Sequence, residues 1–159
     1  MNALRAFLVF LLGCCLCGVK VNASKMDLWD FGRMISHKGY SRWDYYGYGC
    51  WCGPGAYGSE FLDSTDYCCK THDECYDSVQ SSNCSPYWAS YKYDRLSNGQ
   101  LQCTDGHGTC GRKVCECDKA AADCFEANRG TYKSWLRGLS NDDRRRLCNR
   151  AYIRQGYWS

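Results

Sequence analysis

The sequence has 159 residues, of which 15 are cysteine; that density excludes an ordinary reduced cytosolic enzyme and marks a disulfide scaffold of one domain. The formal charge of +3 falls to +1 once Arg5 and Lys20 of the N-terminal segment are set aside, 18 bases against 17 acids. A charge so near balance excludes a strongly basic chain built to bind nucleic acid.

Residues 1–23 read as a secretory signal. Arg5 precedes an apolar run over 6–19, and Val21, Asn22 and Ala23 supply a small-residue cleavage site. The run is too short to span a membrane, which takes about 20 apolar residues. The signal holds Cys14, Cys15 and Cys17, so 12 cysteines remain, an even number that fits six bridges and no free thiol. In residues 24–159, a single domain with a short tail after Cys148, Leu, Ile, Val and Phe number only 14 of 136. So small an apolar set signals disorder unless cross-links replace the missing core.

The first patterned segment is 25–37. Leu28, Phe31 and Ile35 fall at i, i+3 and i+7, one stripe of an amphipathic helix, with Asp27 or Asp30 near its start. The stripe suits an apolar channel wall or an ordinary core face, with Trp29 at a boundary between apolar and wet surroundings. Residues 39–58 are rich in glycine and aromatics, which predicts a structured loop. Residues 65–79 and 114–128 suit helices. Between them, 89–93 and 100–104 lean to strand around the turn signal Ser97, Asn98 and Gly99, which predicts a small two-stranded wing. Beyond Asn128 the chain is polar and reads as irregular. Its bases, among them Arg144, Arg145 and Arg146, read first as a solvated charge run and second as a patch for anionic headgroups.

Spacing carries the strongest inference. Cys68 and Cys75 are two turns apart on one predicted helix, and Cys117 and Cys124 are two turns apart on the other. Two antiparallel helices could therefore be stapled twice, Cys68 to Cys124 and Cys75 to Cys117. His72 and Asp73 lie between the staples, and Asp118 faces them from the opposing helix. A histidine oriented by a buried carboxylate is a general base with a fixed tautomer. The same neighbourhood also admits a merely packed histidine, or a zinc site, though secreted cysteines in an even set favour oxidation. The loop from Tyr48 to Gly58 is either a tight turn forced by bridges or a cradle of inward carbonyls. Together with a carboxylate, such a cradle suits Ca²⁺. It is not an EF-hand.

The loop, the run Cys68-Cys69-Lys70-Thr71-His72-Asp73-Glu74-Cys75-Tyr76, the stretch Ser90 to Tyr93, and Cys115-Glu116-Cys117-Asp118 resemble, in order, those of the secreted phospholipase A2 family. The resemblance covers residues 27–148. It implies a small, mainly α, disulfide-rich fold with an N-terminal helix, a calcium loop, two stapled antiparallel helices and a short β-wing. It implies Ca²⁺-dependent hydrolysis of the sn-2 ester of glycerophospholipids by a secreted, monomeric protein acting at lipid aggregates or membrane surfaces. His72 would be the base, Asp118 its partner, and Tyr76 and Tyr91 members of their hydrogen-bond network. Asp73 and the carbonyls of Trp51, Gly53 and Gly55 would hold Ca²⁺, and the Gly53 N–H would help stabilise the oxyanion. The implied bridges are Cys50–Cys148, Cys52–Cys69, Cys68–Cys124, Cys75–Cys117, Cys84–Cys110 and Cys103–Cys115. Ala56 replaces a usual glycine and Trp51 a usual tyrosine, while His37 and Arg95 stand where many relatives carry a seventh bridge. The rival is a non-catalytic toxin or receptor ligand on the same scaffold, which the presence of both His72 and Asp73 disfavours. Asn83-Cys84-Ser85 fits a glycosylation sequon, but a bridged Cys84 argues against a glycan.

Overall fold

The computed structural model describes residues 27–55 and 58–149. The signal segment and Ala56 lie outside them. Among the described residues there are five α-helices and one two-stranded antiparallel sheet.

Helix α1 spans Asp27–His37 and turns Met34 and Ile35 into the core. Ile35 is therefore a core residue rather than a channel wall. Leu28 is 60% exposed, which removes it from any enclosed channel. Phe31 alone of the stripe reaches the site described below.

The stretch predicted as pure loop contains one helical turn, α2, over Arg42–Tyr45. Ser41 and Asp44 close it with a reciprocal capping box. The turn ends before Gly47, so the glycines do not oppose it. Its Tyr45 stacks on Phe125 with ring centroids 3.9 Å apart.

Helix α3 runs Ser64–Gln80 and α4 runs Cys110–Ala127, capped by Asp63 and Thr109. All six bridges join the pairs that the resemblance implied. Cys68–Cys124 and Cys75–Cys117 fix α3 and α4 antiparallel in one register. Among the described residues no cysteine is left to a metal, and no cluster of three His, Cys, Asp or Glu side chains assembles. The zinc reading gains no support there.

Strands β1 (Tyr93–Arg95) and β2 (Leu101–Cys103) pair with Tyr93 opposite Cys103. The turn falls at residues 97–99, with Gly99 at φ +81°. The first strand starts later than the sequence suggested, because Tyr91 and Lys92 are committed elsewhere. The Tyr91 hydroxyl donates to Asp118, and the Lys92 N–H donates to Asp105.

The segment after Asn128 is less irregular than its composition implied. It makes two 3-10 turns and a fifth helix, α5, over Asn141–Leu147. Ser140 caps α5, acids fill its first turn and arginines its last, which complements the helix dipole. Arg145 pairs with Asp142 and Arg146 with Asp143, three residues back. Those two bases are thus a neutralised, solvated run.

Candidate active site

His72 leaves the middle of α3 toward α4, and its Nε2 lies 2.6 Å from Asp118 Oδ1. Asp118 is fully buried. Such a carboxylate needs donors from every side, and it has three. Tyr76 donates to Oδ1 at 2.7 Å and Tyr91 to Oδ2 at 2.5 Å. Burial first, then the Asp118 charge, push the Tyr91 phenol well above its usual range, so it stays a donor. With Asp118 accepting, Nε2 carries the ring proton and Nδ1 keeps a free lone pair. Phe31 stacks on the imidazole at 4.5 Å, tilted 14°, and holds the ring plane. Among the described residues no serine or threonine hydroxyl bonds to His72, and the cysteines are bridged.

Asp73 follows on α3. Its Oδ1 is 4.0 Å from His72 Nδ1, and its side chain is 38% exposed. Burial raises its pKa to about 6, opposed by His72 and reinforced by Asp77. No N–H or O–H among the described residues donates to it.

The glycine loop is tied to α3 by two devices. Cys52 bridges to Cys69, four residues before Asp73 and so on the same helix face. Asp66, fully buried, accepts from the backbone N–H groups of Cys50, Trp51 and Leu62 at 2.8 to 3.0 Å. Sequence reading missed Asp66. Gly49, at φ +59°, makes room for it: an added Cβ there would meet the Asp66 carboxyl carbon at 2.3 Å. Gly49→Ala is accordingly expected to destabilise the protein by about 2–4 kcal/mol, through a backbone strain and a broken buried hydrogen-bond cluster. Urea unfolding with bridges intact would measure this.

The Cys52 carbonyl accepts from Gly47 N–H at 2.9 Å. The carbonyls of Trp51, Gly53 and Gly55 accept nothing from the described chain. Gly53 and Gly55 adopt φ +118° and +81°, a region that suits glycine and re-aims successive carbonyls. One unpartnered carboxylate plus neutral carbonyl oxygens is a hard-oxygen set, so these residues fit Ca²⁺ by donor chemistry. The Trp51 indole donates outward to the Glu60 carbonyl at 3.0 Å, leaving its own carbonyl free.

Fold and site together define a small, disulfide-stapled helical protein with a histidine–aspartate pair held between two bridged helices. Comparison with known proteins makes this specific. The phospholipase A2 family model matches residues 28–137. The chain is 40% identical to "Basic phospholipase A2 RV-4" of Daboia siamensis over 135 residues, 84% of this chain and 91% of that one. It is 39% identical to "Group IIC secretory phospholipase A2" of Rattus norvegicus over 144 residues, 87% and 91% of the two chains. "Acidic phospholipase A2" of Bothrops jararaca matches at 42% over 120 residues, 72% and 94% of the two. The chain belongs to the phospholipase A2 family, and it is an enzyme of that type.

Proposed function

We propose that this phospholipase A2 is secreted behind a signal at residues 1–23, acts as a peripheral monomer on lipid aggregates, and needs Ca²⁺ to hydrolyse the sn-2 ester of glycerophospholipids. The observation that carries the reading is the pairing of an Asp118-oriented His72 with an unpartnered Asp73 one residue away.

His72 Nδ1 takes a proton from water as that water attacks the ester carbonyl. Asp118, with Tyr76 and Tyr91, holds the ring and stabilises the imidazolium that forms. The imidazolium then returns the proton to the leaving lysophospholipid oxygen. Asp73 with the Trp51, Gly53 and Gly55 carbonyls would hold Ca²⁺, which when bound supplies a Lewis acid for the charge on the carbonyl oxygen. The Gly53 N–H, without an acceptor in the described chain, is available to the same oxygen.

Fatty-acid release from phosphatidylcholine vesicles, in Ca²⁺ and then in excess EDTA, tests this. Activity at roughly 10⁻⁴ to 10⁻³ M Ca²⁺ and none in EDTA is expected. Full activity in EDTA would remove the calcium role, and no activity in either would favour the non-catalytic rival.

Lipid contact is proposed for the exposed end of α1. Leu28 and Trp29 are 60% and 59% exposed, and Arg42 lies over the Trp29 and Trp43 rings at 4.2 and 5.0 Å. An exposed indole beside a guanidinium suits a boundary between apolar and wet surroundings. Trp29→Ala should lower vesicle binding and vesicle hydrolysis roughly tenfold, since burying such a side chain is worth ~1.5–3 kcal/mol. Hydrolysis of dispersed short-chain substrate should change little. Equal losses on both would instead indicate a folding defect.

A further inference from the structure

A groove of about 300 Å³ opens between α1 and the β-wing, behind Tyr91 and away from the His72 imidazole. Its walls carry Arg33 and His37 from α1, and Lys92 and Arg95 from the wing, against the single carboxylate of Asp30. Asp30 pairs with Arg33 at 3.7 Å. Among the described residues neither the Lys92 ammonium nor the Arg95 guanidinium has a carboxylate within 4.0 Å, although the Lys92 backbone N–H donates to Asp105.

The convergence is not accidental crowding of flexible ends on one helix. Asp30, Arg33 and His37 occupy one row of α1 at i, i+3 and i+7. That row faces strand β1, where the His37 and Tyr93 rings meet edge-on at 6.0 Å. Burial, then Arg95, then Arg33 lower the His37 pKa. Both guanidiniums therefore act on the same small volume. The wing itself is fixed by the Cys103–Cys115 bridge to α4, so Lys92 and Arg95 project from a rigid support. Holding like charges together in a rigid concavity costs free energy, and an anion bound among them recovers it.

We propose that this groove is a binding site for a phosphate or sulfate ester group, held between the Arg33 and Arg95 guanidiniums with Lys92 as a third cation. The site is separate from the ester-hydrolysing centre and does not depend on how that centre works. Tyr91 is the shared wall, with its hydroxyl on Asp118 and its side chain lining the groove. The anion could come from a lipid headgroup or from a soluble or polymeric ester, and the two differ in experiment.

The test uses the secreted protein, isotope-labelled, in EDTA so that no turnover occurs. Inorganic phosphate is titrated while backbone amide shifts are followed. Saturable shifts confined to residues around Arg33, His37, Tyr93 and Arg95 are expected. The double variant Lys92→Ser with Arg95→Ser should weaken the phosphate affinity roughly tenfold or more, because it removes two of the charge-assisted donors. The milder Arg95→Gln, with circular dichroism to confirm folding, guards against a misfolded double variant and should weaken affinity in the same direction. Shifts that fail to saturate, that spread over all surface bases, or that persist in both variants overturn the proposal. A second arm assigns the source. Loss of partitioning to phosphatidylcholine vesicles containing phosphatidylglycerol, with none on pure phosphatidylcholine, identifies a lipid headgroup. Unchanged partitioning on both, with the phosphate site intact in the parent protein, identifies a soluble or polymeric ester.

Discussion

Asp73→Lys is expected to abolish turnover, a loss of roughly 10³-fold or more, while leaving the bridges and helices in place. The proposed Ca²⁺ site has one carboxylate, so the substitution sets an ammonium where the ion would sit and removes both the ion and its Lewis acidity, several kcal/mol of transition-state stabilisation. The fold should tolerate it, because the side chain is 38% exposed and no described donor depends on it. Asp73→Asn separates charge from shape. Since burial raises Asp73 to about 6, the ionised carboxylate costs stability in the metal-free protein. The sign follows from linkage: a raised acid penalises the folded state above its folded pKa, and the penalty fades as pH falls toward the unfolded value. Metal-free Asp73→Asn should therefore melt above the parent at neutral pH, and the gap should close in acid. For the parent, apparent Ca²⁺ affinity should fall about tenfold per pH unit below pH 6, as protons compete with the ion. Calorimetric Ca²⁺ titration at several pH values measures this. Affinity independent of pH across that range would remove Asp73 from the site.

The parts of the fold that were legible in the sequence share a cause. Cysteines seven apart lie on one helix face, so two such pairs support one helix pairing and one register together. The parts that were not legible depend on tertiary or capping effects that no apolar period reports. Helix α5 has no apolar stripe; Ser140 and the aspartate-to-arginine pairs make it. Helix α2 is a single turn, too short to register as periodicity, and is held by its capping box. Strand β1 starts late because Tyr91 is drawn to Asp118. Leu28 shares the helical stripe of Ile35 yet lies at the exposed end of α1, so periodicity placed its face correctly and its burial wrongly. Asp66 was invisible for a different reason. An acid in the first turn of a helix ordinarily serves that helix, and here it turns outward to gather three N–H groups of the preceding loop.

His72→Gln is expected to lose about 10² to 10⁴-fold in kcat on vesicles, the usual cost of removing a general base. Glutamine keeps the volume and can still hydrogen-bond Asp118, so the buried carboxylate retains its donors. Ca²⁺ affinity should survive, since Asp73 and the loop are untouched. Asp118→Asn should lose less. Tyr76 still packs against the ring at 4.3 Å, and Phe31 still stacks on it. An asparagine, however, can offer Nε2 an N–H donor and so favour the tautomer with the proton on Nδ1, the nitrogen that must accept from water. The double variant decides whether the two act as one unit. If Asp118 works only by orienting His72 and steadying its imidazolium, then removing it after His72 is gone should cost almost nothing further. The double variant should match His72→Gln within about twofold, where independent action would multiply the two losses. Tyr91→Phe extends the cycle. It deletes one donor to Asp118 Oδ2 at 2.5 Å and should produce a small loss in the parent and none in the His72→Gln background. Measured kcat values for the full set, with circular dichroism to confirm folding, are sufficient. Losses that multiply would give Asp118 a role apart from the imidazole and would sink the dyad.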